Sequence, residues 1–134
     1  MANNFEGQYE VTVGRCGCMV LPDAWREALV GESGKLYVRP EGKEKCLCLI
    51  PAAEIEAELA RFREKALVDP AFNTALRIIG ENTRQLDVED GKIRIDKALL
   101  KSVGISGSAV AVGDGKMVKL WNPEEFVTID RSNF

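Results

Sequence analysis

Residues 17–25 read GCMVLPDAW, and residues 91–99 read GKIRIDKAL. Gly17 falls on Gly91, Met19 on Ile93, Leu21 on Ile95, Ala24 on Ala98 and Trp25 on Leu99. Outward from this match, residues 9–55 lie over residues 85–126, with Leu49 on Leu120, Ile50 on Trp121, Glu54 on Glu125 and Ile55 on Phe126. The first copy is longer around VGESGK, residues 30–35, where an extended loop is expected. A chain that repeats itself is read as two related units before any local element is assigned.

Each copy predicts the same elements. An alternating segment, YEVTV or QLDVE, sets Tyr9, Val11 and Val13, or Leu86 and Val88, on one face of a strand. A turn at Gly17 or Gly91 follows. The next strand points Met19 and Leu21, or Ile93 and Ile95, inward, leaving Cys18 and Val20, or Lys92 and Arg94, outward. A short helix opens on Asp23 in the first copy, and on Asp96 in the second, where it stops at Gly104. Two strands close each unit, KLYVRP with KCLCLIP and SAVAVGD with KMVKLWN, the second pair joined by GDGK. Between the copies, Ile55, Leu59, Phe62 and Ala66 recur at helical spacing, Asp69-Pro70 breaks the helix, and AFNTALRIIG forms another, ending at Gly80.

Composition removes several classes of function. The 134 residues suit one domain, no segment approaches the apolar length of a membrane span, and the N-terminus lacks a secretory pattern, so a cytosolic protein with no membrane partner is expected. There is no histidine, which excludes Cys-His and Ser-His catalytic pairs and mixed Cys/His zinc sites; no enzyme activity and no cofactor are expected. Net charge is −3, with acidic groups concentrated in the middle and a mildly basic C-terminal third. The four cysteines, Cys16, Cys18, Cys46 and Cys48, form two C-x-C pairs and are expected as reduced thiols or metal ligands rather than as disulfides. They are the only metal candidates: a C-x-C on a strand points both thiols to one face, so two pairs side by side make a tetrahedral site. No metal is assigned, because zinc-binding cysteines are ordinarily spaced C-x₂₋₄-C and buried cysteine serves as a small hydrophobe.

FEGQYEVTV, GCMVLPDAWREAL, CLCLIP, LDVEDGKIRIDKALLKSVGI and VKLWNPEEF, in this order and in duplicate, resemble the MraZ family over residues 5–126. The resemblance implies a mixed α/β fold of two pseudo-symmetric SpoVT/AbrB-like swapped-hairpin units forming a small barrel-like sheet. The units are residues 5–55 and 83–127, with connecting helices over 56–82. It further implies a DNA-binding transcriptional regulator of the division and cell-wall gene cluster, cytoplasmic and nucleoid-associated, assembling as a homo-oligomer or ring. The family carries an Asp-x-x-Gly-Arg turn in each repeat. This chain has Gly14 at the Asp position and Cys18 at the Arg position of the first copy, and Lys92 at the Arg position of the second.

The DNA-binding residues expected are therefore Arg15, Lys92 and Arg94: a β-ribbon presenting alternate cations can enter a groove, and phosphate contacts require little more than cationic reach. The competing reading is an assembly module, in which the apolar outward pair Cys18 and Val20 packs against a partner.

Overall fold

The computed structural model describes residues 5–31 and 34–126. Residues 32 and 33 of the expected long loop, and residue 127 at the end of the second repeat, lie outside the described residues. In chain order the elements are β1 (Gln8–Thr12), β2 (Cys18–Val20), α1 (Asp23–Val30), β3 (Leu36–Pro40), β4 (Cys46–Pro51), α2 (Ala52–Ala66), α3 (Ala71–Asn82), β5 (Arg84–Leu86), β6 (Val88–Glu89), β7 (Lys92–Arg94), α4 (Lys97–Ser102), β8 (Ser108–Asp114) and β9 (Met117–Trp121). The fold is mixed α/β with antiparallel sheets.

Strand alternation decides where the core lies. In β4, Leu47 and Leu49 point to one face, and Cys46, Cys48 and Ile50 to the other; all five are buried. A continuous apolar run of this length fits a strand covered on both sides. Leu47 and Leu49 join Val118, Leu120, Ala109 and Ala111 in the main core, with Met19, Leu21, Ile93 and Ile95 from the second sheet and Trp25 and Leu29 from α1. On the opposite face, Cys48 and Ile50 pack under Ile55 of α2, and Cys46 packs against Trp121 and Val110.

The six-stranded sheet runs β1-β8-β9-β4-β3-β5, and a three-stranded sheet runs β2-β7-β6. The expected barrel-like sheet is not present: β1 and β5 are the edges of an open sheet and are not joined. The reason is the brevity of β5. The segment expected as one strand divides at Asp87, so that Leu86 is buried in the large sheet while Val88 pairs with Ile93 in the small one. The inward positions are as expected: Met19, Leu21, Ile93 and Ile95 are 3% exposed or less.

Both ends of α4 agree with expectation, and two other helix ends differ. Asp96 caps α4, its carboxylate accepting from the Ala98 N–H at 3.1 Å, and Gly104 beyond the helix has φ +72°. For α1 the cap position is Pro22, preorganised to lead into a helix; Asp23 becomes the first helical residue and pairs with Arg26 at 2.8 Å. Helix α3 continues two residues past Gly80 to Asn82.

Ionic contacts fix the outer face of the large sheet. Arg39 of β3 makes a bidentate pair with Glu58 of α2, at 2.6 and 2.8 Å, with both side chains at most 20% exposed. Lys119 of β9 bonds Glu44 at 2.8 Å and Asp114 at 3.2 Å. Burial alone lowers a lysine pKa, but the bonds to Glu44 and Asp114 outweigh it and raise that of Lys119. Its contribution to stability is thus fully present below the unfolded lysine value of about 10.4 and is lost as pH rises through the folded value.

Two outcomes follow from these contacts. Glu58→Gln leaves a mostly buried guanidinium with a weaker partner and is expected to lower unfolding free energy by about 1–3 kcal/mol in urea titration; an unchanged midpoint contradicts the clamp. The stability gap between the parent and Lys119→Met is expected to hold steady from pH 7 to 9 and to narrow above about pH 10. A gap that widens over that range contradicts the assignment.

Candidate nucleic-acid interface

The first-copy hairpin turn is built by glycine. The Gly17 N–H donates to the Gly14 carbonyl at 2.9 Å, and the Gly14 N–H to the Cys18 carbonyl at 2.8 Å, so Arg15 and Cys16 occupy the centre of a β-turn and Gly17 follows with φ +84°. No side chain fits at Gly17, where an added Cβ meets the Ile95 carbonyl oxygen. That closeness is itself a join, since the Ile95 N–H donates to the Gly17 carbonyl at 3.0 Å. At the other end of the same ladder the Leu21 N–H donates to the Gly91 carbonyl at 2.8 Å. The second hairpin turns on Asp90 and Gly91, both at positive φ, as the tightest two-residue hairpin turns require.

Between the turns, β2 and β7 pair with Cys18 opposite Arg94, Met19 opposite Ile93 and Val20 opposite Lys92. The central pair is buried, so Lys92 and Arg94 are held outward two residues apart on the exposed face. Arg15 is exposed at the turn beside the Arg94 end. The structure thus brings Arg15 and Arg94 to one end of the small sheet, with Lys92 one step along. Glu89 lies opposite Lys92, and no ion pair within 4.0 Å ties Arg15, Lys92 or Arg94 to an acid among the described residues.

Three further cations join them that the sequence reading passed over. Arg15 shares a groove with Lys97 and Lys101 of α4 over an apolar floor of Val13, Leu100 and Ile105. Arg94 shares a second groove with Cys16, Arg84 and, again, Lys97. Lys97 and Lys101 stand four apart on α4, so they share a helix face, and that spacing was the available signal. Their approach to Arg15 depends on packing between the two copies, which spacing alone does not reveal. Asp87 and Asp96 also line the second groove, and Asp96 is engaged as the cap of α4.

The cysteines correct the expectation that none of them is paired in a disulfide. Cys16 and Cys18 are joined in a disulfide. The turn folds Cys16 back on Cys18, bringing their Cα atoms to 5.4 Å, within the range a disulfide spans. Cys46 and Cys48 lie on a continuous strand and remain free, buried thiols in the outer face of the large sheet. The quartet is therefore not assembled, and no group of three or more potential ligands among the described residues is arranged to hold a metal ion. The neighbouring Cys48 and burial push the Cys46 thiol up, while Cys46, aided by the Lys119 and Arg39 charges, draws Cys48 down against the effect of burial.

Comparison with known proteins bears on this site. No family model matches the chain. It is 26% identical over 127 residues to the transcriptional regulator MraZ of Azotobacter vinelandii, a match spanning 93% of this chain and 84% of the relative. It is 24% identical over 121 residues to that of Symbiobacterium thermophilum, spanning 90% and 85%. It is 29% identical over 127 residues to that of Saccharophagus degradans, spanning 90% and 83%. Over about nine-tenths of its length the chain is therefore similar to proteins described as the transcriptional regulator MraZ.

The two turns of this chain differ from each other in side-chain chemistry. Gly17 and Gly91 keep the backbone geometry, while the residue after each glycine is Cys18 in one turn and Lys92 in the other. Fold and side-chain chemistry are therefore separable here. Gly17→Ala is expected to cost about 2–3 kcal/mol, combining a left-handed backbone with a collision at Ile95. Gly115→Ala, at φ +68° with open space around it, is expected to cost about 1 kcal/mol. Thermal or urea unfolding of the two variants checks the order; equal losses contradict the close approach of Gly17 to β7.

Proposed function

We propose that the chain is a DNA-binding transcriptional regulator of the MraZ type that acts as a homo-oligomer on a division and cell-wall gene cluster. The observation that carries the reading is the cationic cluster at the first hairpin turn: Arg15, Arg94 and Lys97 line adjoining grooves, with Lys101, Arg84 and Lys92 around them. Arg15, Lys92 and Arg94 contact the phosphate backbone, and Lys97 and Lys101 extend the track.

Charge segregation supports this despite the net charge of −3. Helix α2, which packs on the opposite face of the large sheet from β2 and β7, carries Glu54, Glu56, Glu58 and Glu64 against Arg61, Arg63 and Lys65. Phosphate attraction is local, falling off over about 8 Å at physiological ionic strength, so remote acids do not cancel it. The relatives' shared description as transcriptional regulators agrees.

The fold reading that accompanies this is two SpoVT/AbrB-like repeats, residues 5–55 and 83–127, joined by helices over 56–82. It is supported by the strand order, which is unchanged when β1 is exchanged with β5, β3 with β8 and β4 with β9. Assembly into a ring is proposed through α3, none of whose residues is buried and whose Ile78 is 49% exposed. Each ring repeats the contact, and avidity raises weak affinities by roughly 10²-fold or more. No helix among the described residues is long and apolar enough to cross a membrane, and a cytoplasmic, nucleoid-associated location fits the proposed role.

The assembly reading has one observation in its favour: Val20, beside Lys92, is 50% exposed. Fluorescence anisotropy with duplex DNA, together with mass measurement in solution, separates the two. Lys92→Glu with Arg94→Glu is expected to weaken binding by about 10-fold or more, with oligomer mass unchanged, and Arg15→Glu by a smaller factor. The neutral pair Lys92→Ala and Arg94→Ala is expected to reduce the salt slope by about 2. No binding by the parent protein at low salt contradicts the DNA reading and leaves the assembly module.

A further inference from the structure

We propose that Cys16 and Cys18 form a reversible thiol–disulfide site, exchanging with small thiols of the glutathione class, and that its redox state sets how firmly the Arg15 turn holds DNA. The regulatory part rests on the DNA reading above; the exchange itself does not.

A disulfide across a single residue contributes little to the fold. It closes a loop with hardly any entropy to remove from the unfolded chain. The turn is already held by the Gly14, Gly17 and Ile95 backbone bonds, none of which needs the sulfur bridge. Cys16 is exposed and Cys18 half-buried, so the bridge meets solvent, and exposed disulfides are the labile ones. The other two thiols, Cys46 and Cys48, are buried in the far face of the large sheet and cannot reach it. The site is also flanked by cations, with Arg15 adjacent in sequence, Arg94 opposite Cys18, and Arg94 and Lys97 sharing a groove with Cys16. Positive charge at this position favours the leaving thiolate.

In the reductive direction, a small thiolate attacks the exposed Cys16 Sγ. A mixed disulfide forms, the Cys16–Cys18 bond breaks, and its electron pair leaves on the Cys18 Sγ, which takes a proton from solvent. A second small thiolate then attacks the small-molecule sulfur of the mixed disulfide, releasing the small disulfide and the Cys16 thiolate, which is protonated. Two small thiols are oxidised to one disulfide, and the protein gains two electrons and two protons. Oxidation is the reverse, with the small disulfide as oxidant.

The consequence for DNA falls on Arg15. While the bridge is closed, the residue after Arg15 is tied to the start of β2, and the guanidinium is presented from a rigid turn. Opening the bridge leaves the backbone bonds of the turn in place but removes the cross-link on the residue next to Arg15, which adds ordering cost to the Arg15 phosphate contact. Immobilising one long side chain typically accounts for about a 2- to 10-fold difference in affinity.

The test uses the full chain equilibrated across reduced and oxidised glutathione, quenched by alkylation and read by peptide mass. Cys16 and Cys18 are expected to gain label together, with one reversible midpoint, while Cys46 and Cys48 label only after unfolding. A bridge that stays closed in all reducing buffers until the protein unfolds, or that never forms under oxidising ones, overturns the exchange. Duplex DNA anisotropy of both redox forms is expected to show about 2- to 10-fold tighter binding when oxidised, and the Cys16→Ser/Cys18→Ser variant to match the reduced parent in either buffer. Equal affinity of the two redox forms overturns the regulatory part alone. Binding by neither form overturns the DNA reading and with it the regulation, while the mass measurement still decides the exchange.

Discussion

The antiparallel pairing of β2 with β7, centred on Met19 against Ile93, is the contact on which the rest of the structure depends. It joins a strand of the first copy to its counterpart in the second, and its inward side chains seal the main core against the large sheet. Its length is only three residues on each strand, so backbone bonds at both ends matter: Gly17 to Ile95 and Gly91 to Leu21 extend the ladder past the named strands. Both glycines stand at positive φ, which favours glycine in each copy, and at Gly17 the Ile95 carbonyl also leaves no space for a side chain.

The cationic face emerges from the other side of the same pairing. Once Met19 and Ile93 point inward, alternation drives Lys92 and Arg94 out, and the short ladder sets the first hairpin turn beside the start of α4. Cations from separate parts of the chain therefore converge without any of them belonging to a basic run. The acids of α2 lie across the large sheet, held there by Arg39 and Glu58. A net-negative chain can in this way present a locally positive face.

Much of the fold was legible from residue pattern. The positions of Met19, Leu21, Ile93 and Ile95, the cap at Asp96 and the hairpin at Gly115 are local consequences of alternation and turn chemistry. What was not legible depends on where elements meet. The break between Leu86 and Val88 sends one strand to two sheets, and the open edges at β1 and β5 follow from it. The two C-x-C pairs are identical in spacing, but only the one folded back by a glycine turn closes a bridge; the one on a continuous strand stays buried and reduced. Lys97 and Lys101 were visible as a helix face, yet their neighbour Arg15 comes from the other copy.

The most direct measurement is hydrogen exchange of the full chain, read by peptide mass with and without duplex DNA at low salt. Slowed exchange is expected in peptides covering residues 14–20 and 90–101, with α2 and α3 unaffected by the duplex. Protection confined to α2 and α3, or none at residues 14–20 and 90–101 under conditions where DNA is bound, would contradict the assignment of this face.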